Sequence, residues 1–533
     1  MSSRLEENLI RRIAVGDMLR RRAATHPEAE ILVDYVNGER IAVTFAAFNA
    51  RVNQMVHGLR ELGLRQNDKI AILGANSEAF LVTLMACFKG GFVAVPINYL
   101  QTPELIEYNI RHSDARAIFA DAALQPLLDS FLEHRANNYV LGALLPPSDR
   151  DHSRRFRPFQ SMLENHSSSE IEDIEIDDDD LAQIMYTSGT TAKPKGVMNS
   201  HKNLFLATLS GGLTLGLAYG QSNGLGMLPF FHITAEVGFL TNLHLGGKTV
   251  LMRGFDADRL LWLIEKESLH GLVLLPMMWK ALLASPNIDK HRYDSLRSAL
   301  YAMAPMDTPT LRKLEATFGC SFMIGSGQTE TAAVSTVLQG KWSGIKQGNY
   351  WGEAALLTDM MIMDDHGNRL PSGEVGEIVW RSPQVMLGYY ENDSATDAAR
   401  AYGWHHSGDL GIEDEDGQVL FVDRKKDIVK SGGENVSSVH VERTILAFPG
   451  VDNCAVIGLP HERWGEAVTA VVTCAANIEI GEEELLEWCT EQLAPFEKPK
   501  RIVFVDALPM TATGKVQKHT LRVQFQHLYQ PRN

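Results

Sequence analysis

The stretch YTSGTTAKPKG, Tyr186–Gly196, follows the short apolar run LAQIM at Leu181–Met185. An apolar strand that feeds a turn dense in Ser, Thr and Gly and closes on two lysines offers what a polyphosphate needs. Hydroxyl and backbone N–H donors are combined there with cationic charge. The spacing is not the ordinary G-x-x-x-x-G-K-[ST], since Pro194 separates Lys193 from Lys195. On composition alone the stretch reads as a triphosphate loop or as a polar surface loop.

The chain around it has 533 residues, too many for one simple core, so two or more domains are expected. A net charge of −16 argues against a nucleic-acid or anionic-membrane binder, and any polyphosphate site must be made locally positive. The five cysteines, Cys87, Cys320, Cys454, Cys474 and Cys489, are scattered and lack C-x-x-C spacing. They suggest neither a disulfide framework nor a zinc site, and a reducing cytoplasm fits them best. The Arg-rich opening carries Glu6 and Glu7 and no long apolar segment, so it reads as an amphipathic helix rather than a targeting signal. No apolar run approaches membrane-spanning length, so no transmembrane segment is expected.

Along the chain, two β-rich runs from Glu30 to Val43 flank Asn37-Gly38, a hairpin signal, and Thr44 caps a helical pattern through Leu64. Strand signals at Lys69–Leu73, Phe92–Pro96 and Ala117–Phe119 alternate with helices capped at Asn76 and begun at Pro103. That alternation predicts layered α/β sheets with crossover helices. The acidic SSSEIEDIEIDDDD, Ser167–Asp180, predicts an exposed connection. Further alternation follows at Gly246–Met252, Asp256–Glu267, Gly271–Leu275 and Leu296–Met303. Two apolar segments, Met227–Leu240 and Leu272–Leu283, read as core or as the wall of an acyl pocket.

Near Cys320–Val334, CSFMIGSGQTETAAV ends an apolar strand in a Gly-flanked turn that presents Thr329 and Glu330. The pair reads either as a helix cap or as an oxygen site for Mg²⁺ beside the phosphate loop. Pro371–Tyr390 suggests a small β-rich subdomain. After Asp423 the pattern changes to helix Val439–Ala447, strand Val451–Ile457, helix Glu482–Leu493 and strand Arg501–Val505, which predicts a separate small α+β domain.

The loop resembles the phosphate-binding signature TSGTTGxPKG of the adenylate-forming superfamily, with Ala192 where that family usually has Gly. The resemblance implies nucleotide contacts from Thr187, Ser188, Gly189, Thr190, Thr191 and Lys195. GSGQTE resembles the family's YGxTE motif, implying that Thr329 meets the α-phosphate and Glu330 holds magnesium. Gly327 and Gln328 are implied in the nucleotide site. Ser326 stands in place of an aromatic residue against adenine, forfeiting a stacking contact of on the order of 1–3 kcal/mol. Ala304-Pro305 resembles the family's GGAP element, but Ala302 and Met303 replace its glycines, which implies a shorter or reshaped acyl pocket. Asp409, after Ser407-Gly408, matches the aspartate that accepts the ribose hydroxyls; Arg424 matches an arginine on the same ribose, and Lys426 the hinge. Ser431–Asn435, SGGEN, resembles the string of acyl-CoA ligases rather than that of peptide-synthetase adenylation domains. That implies a CoA tunnel at Lys430, Gly432 and Gly433. Lys515 matches the catalytic lysine of P-x-x-x-x-G-K. His232, in FFHITA, matches an aromatic motif near the carboxylate and tunnel, or is a core histidine.

The resemblance covers nearly the whole chain. It implies a large N-terminal α/β domain, residues 1–423, and a mobile α+β lid, residues 424–533. The implied reaction joins a carboxylic acid to MgATP, releasing pyrophosphate, and then to CoA, releasing AMP. The acid is expected to be short or medium-chain, aromatic or carnitine-like, and a homo-oligomer is compatible with the sequence. The alternatives are an adenylating enzyme with another acceptor and a silent acyl-nucleotide binder.

Overall fold

Apolar runs such as KIAIL can expose neither face to water, and they become interior strands of a mostly parallel sheet. Described in the computed structural model are residues 3–133, 139–144, 155–187, 193–220, 223–302, 306–342, 345–346, 348–475, 478–510 and 516–530. They form two compact units, Met1–Met360 with Trp380–His405, and Met361–Val379 with His406–Asn533. The first is a large α/β unit and the second a smaller α+β unit, as the alternation predicts. All five cysteines are unpaired.

In the larger unit, Lys69–Leu73 lies parallel to Val93–Pro96 and to Ala115–Ala120. Val93–Pro96 then joins Leu181–Thr187, still in parallel. There the sheet reverses. Leu181–Thr187 pairs antiparallel with Lys195–Ser200, and that strand with Gly388–Tyr389. Helix Glu78–Gly90 is buried around nearly its whole circumference, as a helix apolar on all sides must be. A second sheet of the same unit carries Ser321–Ser326 between Ser298–Tyr301, parallel, and Thr336–Leu338, antiparallel. The apolar segments singled out above supply core: Phe230, Phe239 and Leu240 pack in one cluster and Trp279 and Leu282 in another.

In the smaller unit, Val451–His461 and Gly465–Cys474 form a long antiparallel pair. Its alternating residues serve two faces. Val456 and Val468 pack under Val441, Ile445 and Leu485, whereas Ala455, Ile457 and Val471 pack under Leu521.

Local signals hold where one interaction dominates. Asn37 and Gly38 both take positive φ, 51° and 85°, and close the hairpin of Glu30–Val36 with Glu39–Thr44. Thr44 caps Phe45–Glu61, a helix that stops before Leu64. Elsewhere tertiary contacts override them. Ser77, not Asn76, caps Glu78–Gly90. The Asn76 amide instead donates to the carbonyls of Gly226 and Leu228 and accepts from Phe230 N. Three such bonds at about 1 kcal/mol each outweigh one cap bond of similar size. The opening segment is two helices, Arg4–Arg11 and Val15–Thr25, rather than one. The acidic connection is also more than a solvated linker. Ile171, Ile174 and Ile176 are buried while Asp173, Glu170 and Asp178 reach Arg60, Lys89 and the Ile13 N–H in turn. The side chain of Arg12 ties it down at the Ile174 carbonyl while pairing with Asp17.

Beneath the antiparallel edge, the Gln183 amide faces both carboxyl oxygens of fully buried Glu236, on helix Ile233–His244. Burial pushes the Glu236 carboxyl up to about 8, against a lowering by Gln183. Glu in an unfolded chain titrates at about 4.3. Between these values the folded chain holds a proton that the unfolded chain has lost, so the contribution of Glu236 to stability is greatest at low pH and is lost as pH rises through about 8. Glu236→Gln should remove this contribution. The wild type's thermal midpoint should fall more than the variant's between about pH 5.5 and pH 8.5; parallel falls would show that Glu236 is not held neutral.

Candidate nucleotide and acyl-transfer site

The antiparallel reversal sets the first part of the site. Thr187 and Lys195 are register partners at the mouth of the Ser/Thr/Gly turn. Ser188, Gly189, Thr190, Thr191 and Ala192 lie outside the described residues. Gly196 must be small, because a Cβ there would stand 2.8 Å from Ile184 Cγ2. Both lysines lie over tyrosine rings. Lys193 Nζ is 5.3 Å from the centre of Tyr108 and Lys195 Nζ 4.1 Å from that of Tyr389. Each ring face favours the ammonium without neutralising it.

Ser321–Ser326 delivers the second part. Gly327 turns the chain so tightly that a Cβ would fall 1.5 Å from the Ala333 carbonyl oxygen, which no side chain could satisfy. Ser335 N returns to the Ser326 carbonyl, and Ala332 and Ala333 hold φ at 49° and 88°. Between them Thr329–Thr331 form a single 3-10 turn with Gln328 at its head. The Gln328 amide also reaches His405 Nε2 at 3.4 Å. Half-buried Ser326 pairs with Thr336 in the ladder.

The edge strand joins these parts. Met386 N donates to the Glu330 carbonyl, and the Tyr389 hydroxyl donates to Glu330 Oε1 at 2.9 Å. Lys195, Tyr389 and Glu330 therefore form one cluster. Tyr389 was not singled out in the sequence, where Tyr389-Tyr390 gives no sign of which ring turns towards Glu330. Among the described residues no three His, Cys, Asp or Glu side chains gather as a metal cage. A single carboxylate in such a cluster suits Mg²⁺, which is commonly bound through one or two carboxylates together with substrate phosphates and water.

In the smaller unit, Asp409 and Arg424 face each other across an antiparallel pair, with Arg424 Nε 2.8 Å from Asp409 Oδ1. Asp409 is 1% exposed. Glu377 fixes the turn before it, accepting from Gly408 N at 3.0 Å and pairing with His406 and Lys425. Burial raises the Glu377 carboxyl, but these three partners together hold it below the usual range. Lys426 occupies the exposed turn that follows, where Asp427 N bonds back to the Arg424 carbonyl. Gly432 and Gly433, at φ 64° and 90°, are the two-residue turn between Val429–Ser431 and Glu434–Val436. Positive φ at both positions is what such a hairpin demands. Lys430 is exposed, its N–H held by Glu466.

His232 caps Ile233–His244, its Nδ1 3.4 Å from Thr234 N. Ala304, Pro305 and Lys515 lie outside the described residues. The ends of the Lys515 stretch meet at a Met510–Val516 bridge and at Gln517 N bonded to the Pro509 carbonyl.

Comparison with known proteins matches the AMP-binding enzyme family to residues 19–390 and the AMP-binding enzyme C-terminal domain to residues 440–515. The chain is 35% identical over 520 residues to a feruloyl-CoA synthase of an Amycolatopsis species, covering 97% of this chain and all of that one. It is 32% identical to the long-chain-fatty-acid–CoA ligase FadD13 of Mycobacterium tuberculosis, covering 96% and 98%. Among solved structures it resembles the O-succinylbenzoate coenzyme A synthetase MenE of Bacillus subtilis in complex with ATP and magnesium. There the TM-score is 0.81 at 27% identity, covering 95% of this chain and 98% of that one. Among the described residues no helix is long and apolar enough to cross a membrane. With both halves of the chain matched, the protein belongs to the AMP-binding enzyme family as an ATP-dependent acyl-CoA ligase that works through an acyl-adenylate.

Proposed function

We propose that the cluster of Lys195, Glu330 and Thr329 is the adenylation centre of this ligase. The observation that carries the reading is the joining of Lys195 and Glu330 through one side chain, Tyr389. A carboxylate attacking the α-phosphorus of ATP is a weak nucleophile repelled by phosphate oxygens, so catalysis rests on positioning and on charge neutralisation. Thr187 and the Ser188–Thr191 turn bind the β- and γ-phosphates, while Lys195, Thr329 and Lys515 meet the charge that develops around the α-phosphate. Magnesium held by Glu330 supplies further neutralisation when bound. Asp409 accepts the ribose hydroxyls beside Arg424, and Ser326, Gly327, Gln328, Ala304 and Pro305 surround the base.

In the second half-reaction the CoA thiol attacks the acyl carbonyl and AMP leaves with the bond electrons. For that step residues 424–533 act as a lid hinged at Lys426, which presents Lys430, Gly432 and Gly433 to CoA, with His232 beside the acyl group. The unpaired cysteines support a cytoplasmic setting.

The acid is a compact one: short or medium-chain, aromatic or carnitine-like, with a ferulate-like aromatic acid foremost. Ala302 and Met303 in place of glycines support this, as does the feruloyl-CoA synthase relative. Pyrophosphate release and thioester formation across a panel of acids test it. Aromatic and C4–C8 acids should exceed a C16 acid by about ten-fold in kcat/KM, an energy of about 1.4 kcal/mol; a preferred C16 acid refutes the compact pocket.

Lys515→Ala should lower acyl-adenylate formation by about 100-fold or more while leaving the circular-dichroism spectrum and unfolding midpoint unchanged. Undiminished pyrophosphate release in that variant would remove Lys515 from the mechanism.

A further inference from the structure

Lys195 and Glu330 carry opposite charges on one cluster, yet among the described residues they form no ion pair with each other. Tyr389 is a partner of both. Its hydroxyl donates to Glu330 Oε1 at 2.9 Å, and the face of the same ring lies 4.1 Å from Lys195 Nζ. The ring is itself fixed from behind. Gly388–Tyr389 is paired to the lysine strand with Tyr389 opposite Val197, and Tyr389 N donates to Thr396 Oγ1 at 2.9 Å. Thr396 in turn donates to the Asn392 carbonyl and packs so closely on Gly388, at φ 140°, that a Cβ there would stand 2.9 Å from Thr396 Cγ2. Tyr389 is 6% exposed. Tyr390, in the turn just past the strand, bonds Asp114 instead.

We propose that Tyr389 is a positioning residue for adenylation, an insulator that keeps Lys195 and Glu330 side by side without letting them neutralise each other. A direct salt bridge would have to be broken before either group could serve a nucleotide. With Tyr389 as their common partner, the carboxylate is oriented by one hydroxyl and the ammonium is seated on a π face that a phosphate oxygen can displace it from at little cost. The inference rests on the reading of Glu330 as the magnesium-bearing carboxylate and of Lys195 as a phosphate ligand, and it adds the device that holds both ready.

Calorimetric titration of ATP onto the full-length protein without acid, in the presence and absence of Mg²⁺, reads the two functions separately. Tyr389→Phe keeps the ring and removes the hydroxyl. It should lose about ten-fold of the Mg²⁺-linked gain in ATP affinity while binding metal-free ATP like the wild type. Tyr389→Leu should also weaken metal-free ATP by about three-fold, because Lys195 loses its seat. In pyrophosphate-release assays the Mg²⁺ concentration at half-maximal rate should rise in Tyr389→Phe. Glu330→Gln, measured alongside, separates the two levels of the argument. If Glu330→Gln loses the Mg²⁺-linked gain and Tyr389→Phe retains all of it, Tyr389 is packing only and the proposal falls. If both variants retain the gain, the assignment of Glu330 falls, and the proposal with it. Unfolding midpoints of the Phe variant control for the fold, and that variant decides the matter if the Leu variant fails to fold.

Discussion

The larger unit depends on one reversal of strand direction. Up to Leu181–Thr187 its first sheet is parallel, with strands buried on both faces; beyond it the chain must turn back immediately to pair as Lys195–Ser200. That return fixes Lys195 opposite Thr187. The same strand then offers its far edge to Gly388–Tyr389, which brings Tyr389 towards Glu330. Lysine, tyrosine and carboxylate are thus brought together by a single register.

Buried polar groups brace this edge. Gln183 and Glu236 link its first strand to the helix that His232 caps, at the expense of keeping a carboxyl neutral in the core. Glu377 serves the smaller unit in a similar way, fixing the Gly408 N–H ahead of Asp409 while carrying its charge against burial with help from His406 and Lys425. In both places a group that touches the predicted site is oriented by one that the motif does not contain.

Motifs and periodicities were legible because they are local. Asn37-Gly38 makes its hairpin from the conformations those two residues tolerate, and Asp256 caps Ala257–Lys266 with its own side chain. The glycines of SGGEN were read as permitting close approach to a ligand; they also meet the positive φ of a two-residue turn. Asn76 and the Ser167–Asp180 connection were misread for one reason. Their best partners lie more than a hundred residues away, Gly226, Leu228 and Phe230 for the first, and Asn8, in the first opening helix, with Arg12 and Ile13 just after it for much of the second.

The sequence by itself determined the layered α/β class, the small α+β unit, the order of the nucleotide motifs and the chemistry those residue types can perform. These follow from side-chain period, turn conformers and functional groups, which need no distant partner. Only the tertiary structure decided which polar side chains meet. Of two adjacent tyrosines, only the pairing of Tyr389 with Val197 selects the ring that partners both Lys195 and Glu330.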